Sequence, residues 1–562
     1  MAFGAFDRDE RSAPSITMNV LRRRSVLLAA LAAPFGACRR MGEPRWEGGW
    51  VGAGVERGHR LRESEAAAGS APARVRRAGV IVVGAGIAGL GAARTLMQAG
   101  IDDVQVFDLE NAAGGNSRGH SIGAIDCPLG AHYLPLPGEQ ALEVIELLEA
   151  LGVRRTEGGR AVYDERTLCH SPQERLYIAG GWHEGLLPPL EALPAPEREL
   201  AARDYRRFVE AVARLGAGGS YAVPTARAPW TPAHAALDGL TFAAWLDAQG
   251  LVAPALRWYL DYCCRDDYGA GTAQVSAWAG LHYFASRHGF HGAGDGDDAR
   301  DGVLTWPEGN AWLSRRLAAP LDDRFHPASL AVRVVEEIHA ASVDVWNDAE
   351  RQLERWHAPQ VVLAVPLFIA ARLLAAPPPA LLAATAAMKH APWLVANLHL
   401  REALDDHAGA APAWDNVVYG SPTLGYVNAG HQSLLPYAGS TVLTAYWALG
   451  AESPETLAAQ RASLLSQPWS SWADAVVADL AVAHADLPAK TTRVDLMRYG
   501  HAMSIPVPGL RGSAALRTLA GPQARVHFAH ADLSSYSVFE EALYHGTRAA
   551  RTVLDRLRTR NA

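Results

Sequence analysis

The feature that most constrains this chain is a glycine-rich turn between a predicted strand and a predicted helix. Residues 79–83 form a short apolar run rich in β-branched side chains, which suits a buried parallel strand. The run Gly84-Ala85-Gly86-Ile87-Ala88-Gly89 follows directly, and residues 92–98 continue as a helix. A second apolar strand at 104–107 is closed by Asp108. Strand, glycine turn, helix, strand and acid at this spacing predict a βαβ unit that binds a dinucleotide.

The residue types in this unit match that chemistry. Gly84 allows the tight turn, Gly86 lets the backbone approach a diphosphate, and Gly89 lets the helix pack close to the strand. The free N–H groups at the start of the helix would face the diphosphate. Asp108 can accept hydrogen bonds from the ribose hydroxyls of the adenosine, and its charge disfavours a 2′-phosphate there.

The composition is that of a globular protein with several domains. The 562 residues carry 52 Lys and Arg against 59 Asp and Glu, a formal net charge of −7, and 49% of them are apolar. This length allows two to four domains at roughly 100–200 residues each. The mildly acidic balance gives no support to nucleic-acid binding, which requires a clustered basic face.

The N-terminal segment is typical of an export signal. Arg22-Arg23-Arg24 precedes an uncharged run at 26–37, which is shorter than the roughly 20 residues that span a bilayer. Basic residues, a short apolar run and small residues together indicate a signal peptide. The pair Arg23-Arg24 followed by Ser25 resembles a twin-arginine (Tat) signal, so we expect a periplasmic or otherwise exported protein.

Cys38 raises a second question about this segment. It follows Phe35-Gly36-Ala37, which resembles a lipoprotein cleavage box, so Cys38 is either a lipid anchor or lost with the signal. Residues 1–38 are therefore interpreted as the signal segment. Residues 39–77 lack an apolar period and are interpreted as a linker.

The other cysteines do not predict a metal site. Cys127, Cys169, Cys263 and Cys264 show no CxxC spacing, and adjacent Cys263 and Cys264 are poorly placed to bridge each other. We expect buried thiols and no metal.

A glycine pair downstream of Asp108 distinguishes between dinucleotides. Gly114-Gly115-Asn116-Ser117-Arg118 resembles the signature of the flavin amine oxidase superfamily, which includes monoamine oxidases, protoporphyrinogen oxidases and carotenoid desaturases. The resemblance implies FAD rather than NAD(P) at the glycine turn. The family motif is usually Gly-Gly-Arg, whose Arg helps hold the diphosphate. Here Asn116 stands at that position, so Arg118 is the candidate for the charge.

Further segments resemble the same superfamily in the expected order. Residues 129–133 resemble the segment that passes the flavin ring. Residues 306–310 resemble the turn at which the chain re-enters the FAD domain. Val335 and Ile338 match a Val-x-x-Ile strand whose backbone contacts the adenine in the superfamily. Residues 361–366 match a strand that ends in proline. The resemblance implies these cofactor contacts: Gly84, Gly86, Ile87, Ala88, Gly89, Asp108, Leu109, Gly114, Gly115, Asn116, Arg118, Gly130, Ala131, His132, Val335, Asp532 and Val538.

The resemblance also implies the architecture. We expect an α/β fold with a discontinuous, Rossmann-like FAD domain of the GR2 type and a mixed α+β substrate domain. The FAD domain would comprise 78–170, 301–370 and 491–562, and the substrate domain 171–300 and 371–490. The Tat-type signal and the strand at 392–395 are most similar to bacterial spermidine-dehydrogenase-like proteins.

Candidates for the chemistry follow from the same resemblance. Many relatives place a Lys near flavin N5, and Lys389 is the candidate because only two lysines exist. His132 and His501 are candidate flavin neighbours. Residues 498–503 fall where monoamine oxidases carry their flavin-linking Cys, and no Cys is present, so the FAD is predicted to be non-covalent.

The substrate remains open among several classes. The leading interpretation is oxidation of an amine C–N bond by hydride transfer to flavin N5, with oxygen or a redox partner as acceptor. Asp266 and Asp267 could recognise a polyamine ammonium, or could serve as a helix cap and an ion pair with Arg265. The aromatic pair of monoamine oxidases is not reproduced, and Val538 stands near one of its positions. The alternatives are desaturation of a hydrophobic or porphyrinogen-like substrate and a non-catalytic flavin-binding protein.

Overall fold

The apolar run after residue 79 forms the central strand of a parallel sheet in the computed structural model. The structure describes residues 45–52, 54–63, 71–170, 172–288, 290, 302–405, 407–431, 439–450 and 453–561. Every residue of this strand, Val80–Val83, is buried. The sheet has five strands, in the order Phe325–His326, Val104–Phe107, Val80–Val83, Gln360–Leu363 and Val526–Phe528. Since they come from three distant segments, this part of the fold is discontinuous, as the sequence predicts.

The helix after the glycine turn, Ile87–Gln98, packs between the parallel sheet and the C-terminal helix Phe539–Asn561. Small residues permit this contact. A Cβ on Gly546 would lie 2.0 Å from the carbonyl oxygen of Ala88, and one on Gly91 would lie 2.7 Å from Leu543. The two helices are therefore closer than side chains at these positions would allow, which brings the start of the C-terminal helix next to the glycine turn.

A four-stranded sheet covers the other face of the parallel sheet. Its strands are Ser329–Glu336, Ala341–Asn347, Gln352–Ala358 and Arg74–Arg77 in that order. Apolar side chains of both sheets share one core, which includes Ile81, Val83, Val343 and Trp356.

A larger, mostly antiparallel sheet forms the second half of the structure. Its eight strands, in spatial order, are Glu47–Trp50, Thr491–Ile505, Lys389–Leu400, Thr441–Ala448, Tyr426–Asn428, Asp415–Val418, Glu174–Ile178 and Gly181–Glu184. The long pair Lys389–Leu400 and Thr491–Ile505 runs antiparallel along its length. Thr491–Ile505 thus lies in this sheet, which differs from the predicted start of an FAD-domain segment at residue 491.

The predicted linker at 39–77 is wrong for three of its segments. Glu47–Trp50 pairs in parallel with the strand at 493–496, Val55–Glu63 is a helix, and Arg74–Arg77 pairs with 354–357. These elements could not be predicted from their polar, glycine-rich sequence, because they are ordered by contacts with strands hundreds of residues away.

Helices and short hairpins complete the fold. The remaining α-helices are Leu142–Ala150, Ala195–Gly216, Pro232–Asp238, Phe242–Ala248, Pro254–Tyr268, Ala277–Tyr283, Ala311–Ala318, Leu367–Leu373, Pro379–Ala387, Pro454–Ser466, Trp469–Leu480, Leu487–Lys490 and Ala514–Ala520. The two-stranded pairs are Val303–Thr305 with Tyr133–Pro135, Gly119–Ile122 with Ile125–Pro128, and Arg154–Glu157 with Arg160–Tyr163. Over the described ranges, none of the helices combines the length and apolar character needed to cross a bilayer.

Candidate active site

A long cavity opens at the carboxyl ends of the parallel strands. It encloses about 1640 Å³ of empty space, and its wall includes the glycine turn, Asp108, the glycine pair and Asp532. Its position matches the crevice in which open parallel sheets bind dinucleotides. We call it the dinucleotide cavity.

The glycines of the turn are required by their surroundings. Gly84 has φ +101°, and a Cβ there would lie 2.4 Å from the carbonyl oxygen of Ala364. A Cβ on Gly89 would lie 1.8 Å from the carbonyl oxygen of Gly84. Gly86 differs, because a Cβ there would meet only the Cα of Gly115, at 3.8 Å. Its missing side chain leaves space in the cavity rather than in the protein core, which is the cradle a diphosphate requires.

Asp108 stands at the end of its strand, as predicted, and lines this cavity. Its Oδ2 accepts from the N–H of Ala85 at 2.7 Å, and its Oδ1 from the N–H of Glu110 at 2.8 Å. Burial raises the pKa of Asp108, and these two backbone hydrogen bonds oppose the rise. Each carboxylate oxygen keeps a lone pair for a ribose hydroxyl.

The glycine pair lies across the turn from Gly86. Gly115 has φ +59°, and the N–H of Gly114 donates to the carbonyl oxygen of Ala85 at 2.8 Å. Asn116, at the position where relatives have Arg, donates from Nδ2 to the carbonyl oxygen of Ala502 at 2.7 Å and so links this turn to the large sheet. Arg118 lines the cavity, 3.5 Å from Glu110. The cationic residue at this end of the cavity is therefore the one the sequence predicts.

Asp532 closes another part of the dinucleotide cavity. Its Oδ2 accepts from the N–H of Leu367 at 2.9 Å, and its Oδ1 lies 3.1 Å from His390 Nε2 and 3.3 Å from His530 Nδ1. Burial alone would raise the pKa of Asp532, but the charges and hydrogen bonds of the two histidines outweigh it and hold the pKa well below its usual range. The buried carboxylate is thus ionised and fixed in place.

A second cavity adjoins the first and encloses about 800 Å³. Ala131, Tyr499 and Val538 line both cavities, so the two are neighbours. Aromatic rings dominate the wall of the second cavity, including those of Trp393 and Tyr446. We call it the substrate cavity, because it lies beside the dinucleotide cavity and has aromatic walls.

His132 lies in the substrate cavity wall and is partly buried. Its ring stacks on Tyr446 at 4.3 Å between centroids with a 24° interplanar angle, and contacts Trp414 at 5.5 Å. Burial lowers the pKa of His132 to about 3, which a backbone hydrogen bond at Gly130 only partly opposes. The imidazole is therefore neutral across the physiological pH range and presents a flat, uncharged surface.

Two adjacent carboxylates, Asp266 and Asp267, also line the substrate cavity. Tyr536 donates its hydroxyl to Asp267 Oδ2 at 2.5 Å, and the hydroxyl of Tyr133 lies 3.5 Å from Asp266 Oδ2. Burial, and then the charge of Asp267, raise the pKa of Asp266 to about 7. Glu540 lines the cavity as well, so its acidic residues are Asp266, Asp267 and Glu540.

More acidic side chains lie behind the pair. Glu174 and Asp415 face each other on neighbouring strands. Burial, then Glu174 and Asp266, raise the pKa of Asp415 well above its usual range. The charges of Glu174 and Asp266 therefore disfavour the ionised form of Asp415.

Two predicted residues lie elsewhere than expected. Lys389 lines neither cavity, and it interacts electrostatically with Glu455 at the start of a helix. Its neighbour His390 lines the dinucleotide cavity instead, since successive side chains of a strand point to opposite faces. Val335 does not reach that cavity, which the same strand lines through Ser329, Leu330 and Ala331.

Ile338 and His501 also differ from the simplest prediction. Ile338 lies beyond the end of its strand with 83% of its surface exposed, so the Val-x-x-Ile match does not describe a strand here. His501 lines the dinucleotide cavity but not the substrate cavity. Its ring is exposed and packs on Phe368 at 4.7 Å.

Sequence reasoning missed the N-terminal helix as a part of the site. Gly58 and Leu61 of this helix line the dinucleotide cavity. Arg57 anchors the helix there by donating to the carbonyl oxygen of Leu109 and, at 3.0 Å, to Asn111 Oδ1. No local signal in a polar segment could have predicted this contact.

The residues of the dinucleotide cavity fit FAD. The Gly86 cradle, the Asp108 carboxylate at the adenosine end and the fixed Asp532 carboxylate are the groups that the diphosphate, ribose and ribityl chain require. Of the four cysteines in the described ranges, which are all free thiols, none lines this cavity.

Comparison with solved structures shows the fold. Putrescine oxidase bound to putrescine matches 86% of this chain and 100% of its own, at 18% identity and a TM-score of 0.62. Cyclohexylamine oxidase from Brevibacterium oxydans IH-35A matches 86% and 99%, at 19% identity and a TM-score of 0.62. A putative protoporphyrinogen oxidase from Exiguobacterium sp. 255-15 matches 86% and 99%, at 15% identity and a TM-score of 0.56. The fold is that of FAD-dependent amine oxidases.

Comparison of sequences identifies the family. Tryptophan 2-monooxygenase from Allorhizobium ampelinum is 38% identical over 87 residues, which span 15% of this chain and 12% of that protein. The family of flavin containing amine oxidoreductases matches residues 87–554, well over half of the chain. The chain therefore belongs to the flavin-containing amine oxidoreductase family and is an FAD-dependent oxidoreductase.

Proposed function

We propose that this enzyme oxidises a C–N bond of a diamine or polyamine, with non-covalent FAD as the cofactor. The observation that carries the proposal is the Asp266–Asp267 pair in the wall of an aromatic cavity beside the dinucleotide cavity. When bound, FAD supplies the oxidation by accepting, at N5, a hydride from the carbon beside the amine nitrogen. The oxidised product is an imine, which water hydrolyses.

The cavity residues divide the work of binding such a substrate. The Asp266–Asp267 pair holds a distal ammonium, whose positive charge favours the ionised form of Asp266. The rings of His132, Trp393 and Tyr446 pack along the hydrocarbon chain. The reacting amine must be neutral, and burial against the aromatic wall, away from the carboxylates, favours the neutral form. Because His132 stays neutral, it orients the substrate without competing for the carboxylates.

A second candidate is oxidation or desaturation of a hydrophobic or porphyrinogen-like substrate. The aromatic wall of the substrate cavity favours it, and one structural neighbour is a putative protoporphyrinogen oxidase. This candidate leaves Asp266 and Asp267 without a role, which is why the amine is preferred. A flavin-binding protein without activity is the remaining alternative.

Export is the part of the proposal that rests on sequence alone. The twin-arginine-like segment and Cys38 lie outside the described residues. We propose a Tat-exported, periplasmic enzyme with a lipid anchor at Cys38. Mass spectrometry of the mature N-terminus tests both points: a lipid mass on Cys38 supports the anchor, and a start after Cys38 contradicts it.

A matched pair of substrates tests the amine proposal. Putrescine and butylamine have the same carbon chain and differ in the second ammonium. We expect the diamine to have at least about a tenfold higher kcat/KM, since charge-assisted hydrogen bonds contribute about 1.5–3 kcal/mol. Equal kcat/KM values for the two amines, with aldehyde formed from both, would show that the carboxylate pair does not bind a distal ammonium. No product from either would favour the second candidate.

A further inference from the structure

A cluster of metal-ligating side chains lies away from both cavities. His407 comes from the loop after the strand Lys389–Leu400, and His484 and Asp486 come from the turn before the helix Leu487–Lys490. One ligand atom from each of the three lies within 4.8 Å of the others. None of the three lines the dinucleotide or the substrate cavity.

Two atoms of this cluster are buried without a hydrogen-bond partner. His484 is 2% exposed, and its Nδ1 has no partner; the same holds for Oδ1 of Asp486. Buried polar atoms in folded proteins nearly always have partners, and an unpaired one is often explained by an absent water or ion. Here two unpaired atoms belong to the same three-residue cluster. A single bound cation would satisfy both.

The other atoms of the same side chains are held in place, as in metal sites. Nε2 of His484 lies 2.7 Å from the Tyr426 hydroxyl, so that when Nε2 carries the proton, Nδ1 has a free lone pair. Oδ2 of Asp486 accepts from the N–H of Asp405 at 2.8 Å and from Lys490 Nζ at 2.9 Å. Such outer contacts fix the ring and the carboxylate with one ligand atom each pointing inward.

The local charges are compatible with a cation. Lys490 pairs with Asp486 at 2.9 Å and with Asp405 at 2.6 Å, so that its charge is balanced by two carboxylates.

We propose that His407, His484 and Asp486 bind a divalent transition cation of the Zn²⁺ class, with a fourth position open to water. Two imidazoles and a carboxylate with one open position form a known zinc ligand set. Ligand atoms in a tetrahedral zinc site lie about 3.4 Å apart, so the exposed His407 has only to move inward. The cation would tie the loop around His407 to the turn around His484. The ligands are far apart in the sequence, which is why no CxxC-like spacing predicts them.

Calorimetric titration of the untagged, chelator-treated chain with Zn²⁺ tests this site. We expect one saturable equivalent, and a dissociation constant about 100-fold higher in His407→Ala, because even outer-contact mutations weaken metal sites by about 10–100-fold. His339→Ala, which removes an exposed histidine from the turn between Ser329–Glu336 and Ala341–Asn347, is the matched control and should bind as the unaltered chain does. Co²⁺ in place of Zn²⁺ should give the intense visible bands of a tetrahedral site.

Two results would overturn the proposal: no saturable equivalent in the unaltered chain, or the same affinity in His407→Ala. His407 is exposed, so this variant should keep the metal-free Tm and the flavin spectrum of the unaltered chain. The outcome does not depend on whether amines are substrates, because metal binding is measured without one.

Discussion

His390 Nε2 lies 3.1 Å from Asp532 Oδ1, and both residues are buried where the large sheet meets the parallel sheet. The pair joins the strand Lys389–Leu400 to the segment after Val526–Phe528, two parts of the chain more than 130 residues apart. The dinucleotide cavity therefore lies between the two sheets, and the buried charge of Asp532 depends on residues from both.

Asp532→Asn tests this buried carboxylate. Removing one partner of a buried charge network costs about 3–5 kcal/mol, so we expect a lower Tm and weaker FAD binding at pH 7. The pKa of Asp532 is depressed in the folded chain, so its stabilising contribution is complete above pH 3.8 and is lost as the pH falls through the folded value. Thermal melts from pH 7 to pH 3 should show the difference shrinking only at the acid end. Asp555→Asn, at a site 76% exposed, is the control and should change little.

Gly86→Ala and Gly89→Ala should fail in different ways. The Gly86 methyl would meet only the Gly115 Cα, at 3.8 Å, so that variant should fold but fill the diphosphate cradle. Overpacking of this kind costs about 1–3 kcal/mol, and we expect FAD affinity to fall by about 5- to 150-fold. The Gly89 methyl would lie 1.8 Å from the Gly84 carbonyl oxygen, so that variant should be unstable even without FAD. Equal FAD affinity in Gly86→Ala and the unaltered chain would show that the diphosphate does not bind in the space beside Gly86.

Asp266→Asn should weaken amine binding and stabilise the fold. With a folded pKa of about 7 against 3.8 for the free side chain, the folded chain binds more protons between those values. Stability therefore falls as the pH rises through this window, and the Asn variant should be more stable by roughly 2 kcal/mol at pH 8 but not at pH 4. Its KM for putrescine should rise about tenfold or more. We expect the KM of the unaltered enzyme to fall as Asp266 ionises above pH 7, and that of the variant not to change in this range. A variant less stable at pH 8 would contradict the assignment.

Lys389→Met should leave the rate of flavin reduction by amine unchanged. The side chain of Lys389 lines neither cavity, whereas its neighbour His390 lines the dinucleotide cavity. Anaerobic stopped-flow reduction measures this rate directly. A large loss in Lys389→Met, with the FAD still bound, would restore the role that the sequence suggests.

The N-terminal helix should contribute to FAD retention. A chain that begins at residue 45 keeps the strand Glu47–Trp50 and the helix Val55–Glu63, and one that begins at residue 71 loses both. Because Leu61 lines the dinucleotide cavity, we expect about tenfold weaker FAD binding in the shorter chain. FAD titration of the two truncated chains compares them, and equal affinities would show that the helix is not part of the site.

The local motifs predicted their parts of the site well. The glycine turn, Asp108, the glycine pair and Asp532 all line the dinucleotide cavity, because each sits at the end of a strand or turn whose geometry is set by neighbouring residues. Arg118 also lines this cavity, and its role as the replacement for the family Arg stays a prediction.

Positions set by distant pairing could not be predicted in this way. A register uncertainty of one residue exchanges Lys389 for His390, since it moves a side chain to the other face of the strand. The hydrogen bond from Tyr536 to Asp267 joins residues 269 positions apart, and the N-terminal helix is ordered by contacts of the same kind. Such contacts depend on how the sheets pack, and no local pattern in the sequence encodes it.

The most direct test of the amine assignment is the visible absorption spectrum of the FAD-loaded protein, recorded anaerobically before and after addition of monoamines, diamines and polyamines. The account predicts that diamines or polyamines bleach the flavin bands, and that Asp266→Asn needs a higher concentration for the same bleaching. Flavin bands that persist with every amine would contradict the proposed function and leave only the family and fold.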